Sequence, residues 1–182
     1  GIEVGAVTPV AAPLEHVVVG EILSIAPHPQ ADRLRVCQVN VGQKAPLTIV
    51  CGAANAAAGL KVPVALEGAV LPNVTKITRS AIRGVESFGM LCAAAELGLE
   101  ESSQGLLVLE TKAKPGTSIT KYLQLDDQQL EIELTPNRGD CLSIMGLARE
   151  LAVLTGARYT PLAVKQITAR TRRKLSVTLG AK

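Results

Sequence analysis

The chain has 182 residues, 47% of them hydrophobic, enough to bury a real core in one or two domains. Its formal charge is +3, no apolar run approaches the roughly 18 residues of a membrane span, and no charged-then-apolar leader opens it. A membrane-spanning role is therefore not expected.

The charge is uneven. Residues 157–182 carry seven basic residues (Arg158, Lys165, Arg170, Arg172, Arg173, Lys174 and Lys182) and no acids, whereas residues 1–156 hold 12 basic and 16 acidic ones. A basic tail can serve a nucleic-acid surface or be a solvated strand edge. Only Phe88, Tyr122 and Tyr159 are aromatic, so the core must be built from Val, Leu, Ile and Ala. Cys37, Cys51, Cys92 and Cys141 form no CxxC or CxxH pair and sit in apolar company, which predicts buried structural thiols, no zinc site and a reduced, cytoplasmic setting.

In chain order, residues 1–14 are short, apolar and interrupted by Pro9 and Pro13; starting mid-pattern at Gly1 without Met, they read as the end of an element in a processed protein or a fragment. Val17 to Ala26 predicts a strand, and Pro27-His28-Pro29-Gln30-Ala31-Asp32 a turn with a polar tip. His28 is expected to face solvent there, as is His16. Leu34 to Val41 and Leu47 to Cys51 predict two further strands around a turn at Gly42 to Ala45. A small-residue connector at 52–59 leads to a strand at Lys61 to Glu67, where Pro63 argues for an edge or a bulge. Gly68 to Val74 is a turn, and Lys76 to Ile82 alternates as a strand would.

The central stretch is Arg83 to Gly98. Gly84 and Gly89 allow a sharp bend around Val85 to Phe88, Met90 to Cys92 look buried, and Ala93 to Leu97 predict a short helix stopped by Gly98. Glu86 and Ser87, with Phe88 beside them, would form a polar shelf; the plainer alternative is a turn entering a core helix. Leu106 to Leu109 would be a last strand. Several short strands with one small helix predict a compact barrel.

Beyond a linker at Lys114-Pro115-Gly116, a short helix is expected at Thr117 to Leu123 and a strand at Leu130 to Leu134, with Glu131 and Glu133 solvated on one face. After the loop Thr135 to Asp140, Asp140 is expected to cap a helix whose buried stripe is Ile144, Leu147, Ala148, Leu151 and Leu154, ended by Gly156. The apolar start of the chain is its expected packing partner. No phosphate loop, nucleophile elbow or HExxH motif occurs, and neither histidine has a partner at a catalytic spacing. The residues point to no active site.

The segments His28-Pro29-Gln30-Ala31-Asp32-Arg33-Leu34, Ile49-Val50-Cys51-Gly52-Ala53-Ala54-Asn55, Gly59-Leu60-Lys61-Val62-Pro63-Val64-Ala65 and Arg83-Gly84-Val85-Glu86-Ser87-Phe88-Gly89-Met90-Leu91-Cys92 occur in the order seen in tRNA-binding OB-fold modules. The chain resembles that family through these four motifs. Leu134 to Ser143 and Gly146 to Leu151, with Gly1-Ile2-Glu3-Val4, further resemble what surrounds this module in bacterial phenylalanyl-tRNA synthetase β subunits. The sequence departs from the pattern at Ala93, where the family usually has Ser, and at Gln30, where Asn is common.

The resemblance implies a β-rich α+β chain: an OB-fold barrel at 13–125 inserted into a small helix-turn-helix-like α+β domain made of 1–12 and 126–182. It implies a tRNA partner, and in the parent enzyme a catalytic α subunit, the remaining β-subunit domains and an α2β2 assembly. That class II ligase would use ATP and magnesium; this fragment would hold no cofactor or metal and have no aminoacylation, editing or ATP-consuming activity of its own. The implied tRNA-binding residues are Gln30, Asp32, Arg33, Arg35, Arg79, Arg83, Ser87, Met90, Ala93 and Glu96. The four arginines would meet phosphates, Ser87 would donate a hydrogen bond, Met90 would fix the turn beneath, and Asp32 would orient an arginine. The alternatives are a structural module without RNA contact and a free-standing tRNA-binding protein, against which the Thr135 to Leu151 region argues.

Overall fold

The computed structural model describes residues 1–168, 171 and 174–180. Arg170, Arg172, Arg173 and Lys182 of the basic tail lie outside the described residues. The chain divides into two compact units, residues 5–131 and residues 1–4 with 132–182. Among the described residues no helix is long and apolar enough to cross a membrane.

The described strands are β1 (Ile2–Pro9), β2 (Val17–His28), β3 (Ala31–Asn40), β4 (Leu47–Cys51), β5 (Lys61–Leu66), β6 (Ser80–Ile82), β7 (Val85–Ser87), β8 (Gly89–Leu91) and β9 (Gln128–Leu134). β1 and β9 pair as a two-stranded ribbon. The main sheet has the order β4-β3-β2-β5-β8, every neighbour antiparallel. Its two edges are brought together when the Phe88 N–H donates to the Thr48 carbonyl (2.9 Å) and the Val50 N–H to Ser87 Oγ (3.1 Å). A three-stranded meander, then a fourth strand returning beside the first, then a fifth closing on the third, is the five-stranded, partly open Greek-key barrel of an OB fold. The β-rich barrel expected from the sequence is the fold observed.

Alternation builds the barrel interior: Cys37 and Val39 of β3 meet Ile22, Ile49, Val62 and Val64. In β2 the register shifts between Ile22 and Ser24, leaving Leu23 as a bulged, half-exposed residue. Such a bulge bends the strand and increases its twist, which lets β2 curl between β3 and β5. A second core lies outside the sheet, where Leu71, Ile77, Leu97 and Ile119 cover Val17, Val19 and Ala65. All four cysteines are buried and free. Burial pushes the Cys37 thiol up to about 11 and the Cys92 thiol up to about 12, so both stay protonated and inert near neutral pH.

Several expectations are corrected. Pro63 lies inside the sheet, opposite Val19, with no bulge. Its carbonyl accepts from the Cys92 N–H (2.9 Å) just past the β5–β8 ladder, so its missing donor falls where that ladder has ended. Leu106 to Leu109 is not a strand; the Leu107 and Leu109 N–H groups donate instead to the carbonyls of Cys92 and Lys61 (3.2 and 2.8 Å). Of residues 76–82 only Ser80–Ile82 is strand, and Ala93 to Leu97 shrinks to a 3-10 turn at Ala95–Leu97, ended by Gly98 at φ 69°. The short helix after the linker, α1, covers Ile119–Tyr122.

In the other unit a 3-10 segment, Pro136–Cys141, precedes helix α2 (Ile144–Thr155). The cap of α2 is Ser143, whose Oγ accepts from the Gly146 N–H at 3.1 Å, and not Asp140. Asp140 is engaged elsewhere, in a two-point pair with Arg138 at 3.1 and 3.2 Å. Arg138 also pairs with Glu150 of α2 (2.9 Å), tying the 3-10 segment to the helix. The guanidinium holds the Asp140 carboxyl below the usual carboxylate range. The expected buried stripe is not formed: Ile144, Leu151 and Leu154 are exposed, and Leu147 and Ala148 only half-buried. Gly146 is the buried residue of α2, where the helix meets the turn before it.

Candidate nucleic-acid interface

Two hairpin tips make the candidate surface. The β2–β3 hairpin turns at Pro29-Gln30. Its pairing is irregular between Pro27↔Arg35 and His28↔Ala31, and Asp32, Arg33 and Leu34 fall inside that irregularity, with Asp32 and Arg33 exposed. The β6–β7 hairpin turns at Arg83 (φ 46°) and Gly84 (φ 82°). Two consecutive positive φ values define the type I′ turn that suits a twisted two-residue hairpin, and Gly84 takes its share at no steric cost.

These tips are 53 residues apart in sequence and meet in space. Arg83 Nη1 donates to the Gln30 carbonyl at 3.1 Å. The Gln30 turn and the Arg83 turn thus converge at this contact. Arg33 makes no hydrogen bond or ion pair among the described residues, which leaves its full charge to solvent. Arg35 is exposed but reaches a different segment, donating from Nη1 to the Ala56 carbonyl at 3.3 Å.

Other expected residues take other roles. Arg79 pairs with Glu86 and lies over the Phe88 ring, 4.8 Å from its centroid. Its charge is thus offset, and one face of the single aromatic ring in this stretch is covered. Ser87 is buried; its Oγ accepts from the Val50 N–H and donates to the Gly89 carbonyl (3.0 Å), so it has no hydroxyl to offer a ligand. Asp32 is exposed, and no arginine among the described residues pairs with it. Met90 is half-buried, packs against the outer core, and lines a cavity of about 340 Å³ with Cys51, Ala93, Glu96 and Ser103.

Glu96 accepts from the Ala93 N–H through Oε2 at 2.6 Å. This is one half of a capping box, in which the first residue's hydroxyl would take the N–H of the fourth. Ala93 has no hydroxyl, and Ser103 Oγ covers only the Ala95 N–H (2.8 Å). Ala93→Ser therefore completes the box and should stabilise the chain by about 0.5–1 kcal/mol in chemical denaturation. An unchanged or lower stability would show that the Glu96 N–H is already served.

Two residues escaped the sequence reading. His28 was expected in solvent and is 5% exposed, wedged between the two tips. Its flanking prolines hint at a fixed turn but not at a buried ring. Asn55 grips the backbone of Leu106 from both sides, donating to its carbonyl (3.0 Å) and accepting from its N–H (2.9 Å), which holds the 103–106 segment over the cavity. Its place in the Ile49 to Asn55 motif was the available signal. Among the described residues no group of three or more His, Cys, Asp or Glu is placed to hold a metal ion.

A β-subunit of phenylalanine–tRNA ligase from Methylococcus capsulatus is 54% identical over 181 residues, covering 100% of this chain and 23% of that protein. Its counterpart from Thiobacillus denitrificans is 52% identical over the same span, again 23% of its length. The chain thus spans about a quarter of the relatives it matches. Among solved structures, a methionyl-tRNA-synthetase-related protein from Pyrococcus horikoshii is 22% identical with a TM-score of 0.41, covering 57% of this chain and 87% of that one. The C-terminal domain of Plasmodium vivax p43 is 24% identical with a TM-score of 0.34, covering 41% of this chain and 43% of that one. A model of the family described as "Putative tRNA binding domain" matches residues 17–118, more than half of the chain and the whole barrel. The chain belongs to that tRNA-binding domain family.

Proposed function

We propose that this chain is part of a phenylalanine–tRNA ligase β subunit and works there as an accessory tRNA-binding region. Similarity to such subunits across the whole of this chain, at 50–54% identity, supports the origin. The observation that carries the RNA role is the pair of joined hairpin tips, which presents Arg33 and Arg83 on one barrel edge inside the family's matched span. In this reading an OB barrel at 13–125 sits within a small helix-turn-helix-like domain formed by 1–12 and 126–182. The whole enzyme would be a class II, cytoplasmic α2β2 assembly that charges tRNA with phenylalanine using ATP and magnesium. The described residues do not fit that pair: they offer neither a phosphate-binding loop nor a carboxylate cluster, so no step here runs through ATP or magnesium. The chemistry belongs to the catalytic subunit, and this fragment has no catalytic, editing or ATP-consuming activity.

The mode of RNA contact follows from what the surface lacks. Single-strand-binding barrels stack bases on aromatic side chains, each worth about 1–3 kcal/mol. Here Phe88 is the one aromatic residue nearby, and Arg79 covers one of its faces. Binding must come from phosphates and from the shape of a folded RNA. Filter binding with phenylalanine tRNA should show affinity falling steeply between 50 and 200 mM salt, by about tenfold for two phosphate contacts, with an unstructured oligonucleotide of equal length bound more weakly. Equal, salt-insensitive binding of both RNAs would remove this reading in favour of a structural module that packs against other domains.

A further inference from the structure

We infer that His28 is a positioning residue that latches the two hairpin tips into one cationic surface. The inference rests on the tRNA-binding reading for its consequence, but its geometry stands alone. The His28 ring is 5% exposed and bridges β2 to the end of β6. The Gln30 N–H donates to Nδ1 at 3.1 Å, and Nε2 lies 3.0 Å from the Ile82 carbonyl oxygen. A backbone N–H can only donate and a carbonyl can only accept, so the two partners select the tautomer with Nδ1 bare and the proton on Nε2. One ring therefore fixes the turn of its own hairpin and pulls in the neighbouring one.

The residues so held are those next to the ligand surface. Gln30 follows His28 by two positions, and its carbonyl receives Arg83; Ile82 precedes Arg83 by one. The Arg83 contact is exposed to water, where such a bond contributes little alone. The buried His28 bridge beneath it keeps the tips from separating, and with them Arg33 and Arg83. Ordering loose loops on binding costs free energy, and a bridge made in advance removes that cost. The benefit applies to a ligand with fixed phosphate positions, a folded RNA, and not to a flexible strand that adjusts to either arrangement.

Two variants of the 182-residue chain separate the two bonds of the ring. The Asn amide reaches roughly where Nδ1 lies, so His28→Asn keeps the Gln30 turn and drops the tie to Ile82. The longer Gln reaches roughly where Nε2 lies, so His28→Gln keeps the tie. His28→Asn should weaken tRNA binding about fivefold, the worth of one neutral hydrogen bond, while binding of an unstructured oligonucleotide stays unchanged. His28→Gln should stay within about twofold of the unsubstituted chain. Unaltered tRNA binding by His28→Asn, or an equal fall for both RNAs, overturns the positioning role. If the unsubstituted chain binds no tRNA, the proposed function fails, and the latch is decided by ¹⁵N relaxation at Gln30 and Gly84. Both tips should be rigid in the unsubstituted chain and gain fast motion together in His28→Asn; unchanged relaxation overturns the latch itself.

Discussion

Reversing two charges, Arg33→Glu with Arg83→Glu, should lower tRNA affinity at low salt by about a hundredfold, since each reversal replaces a phosphate attraction with a repulsion. Stability should fall by no more than about 1–2 kcal/mol. Arg33 is exposed and unpartnered among the described residues, and Arg83 contributes one water-exposed hydrogen bond. Arg79→Gln provides the contrast. Its guanidinium is already paired with Glu86 and stacked on Phe88, so little phosphate binding is lost with it. Arg83→Asn separates charge from geometry: Asn suits the left-handed conformation that Arg83 adopts at φ 46°, so the turn should hold while binding weakens. Filter binding alongside thermal melts reads all three variants. Persistent binding in the double variant, abolished only by substitutions in the basic 170–174 run, would move the RNA site to the tail.

The barrel was legible because its signals are local and repeated. Alternation in β3 puts Cys37 and Val39 inward, and the motifs around Ile49 to Asn55 and Arg83 to Cys92 mark the strands that close the sheet. What stayed hidden depends on contacts between distant segments. Ser87 reads as a polar shelf residue in its own stretch, yet its hydroxyl serves a strand 37 residues away. His28 reads as exposed beside its prolines, and only the arrival of Ile82 from 54 residues downstream makes it a buried bridge. Arg79 counts as a cation until Glu86 is folded against it. In α2 the misreading ran the other way. The helical spacing of Ile144, Leu151 and Leu154 was correct as a periodicity, but spacing does not say what covers a face, and nothing among the described residues of their own unit does. The cap was misassigned because Asp140 and Ser143 both suit that role, and Arg138 claims the former.

The same helix carries the largest expected effect on stability. Gly146→Ala should melt α2 away from the 136–141 turn. A Cβ at this position would collide with the Asp140 carbonyl oxygen and lie 2.8 Å from its carbon. Both are backbone atoms, so no side-chain rotation relieves the clash. Ordinary overpacking costs about 1–3 kcal/mol, and a backbone collision belongs at or above the top of that range. The helix has little else to hold it. It is 12 residues long, a length at which isolated helices are marginal, and its large apolar side chains are mostly exposed. Moving it from the turn also pulls Glu150 from Arg138, removing the ion pair that ties the two together. Hydrogen exchange should therefore show amides of Leu147 to Leu154 losing protection, while the β2–β3 and β2–β5 ladders of the barrel keep theirs. Retained protection across α2 in Gly146→Ala would mean that the close approach to Asp140 is not what holds this helix. A simultaneous loss in the barrel ladders would mean that the two units do not unfold separately.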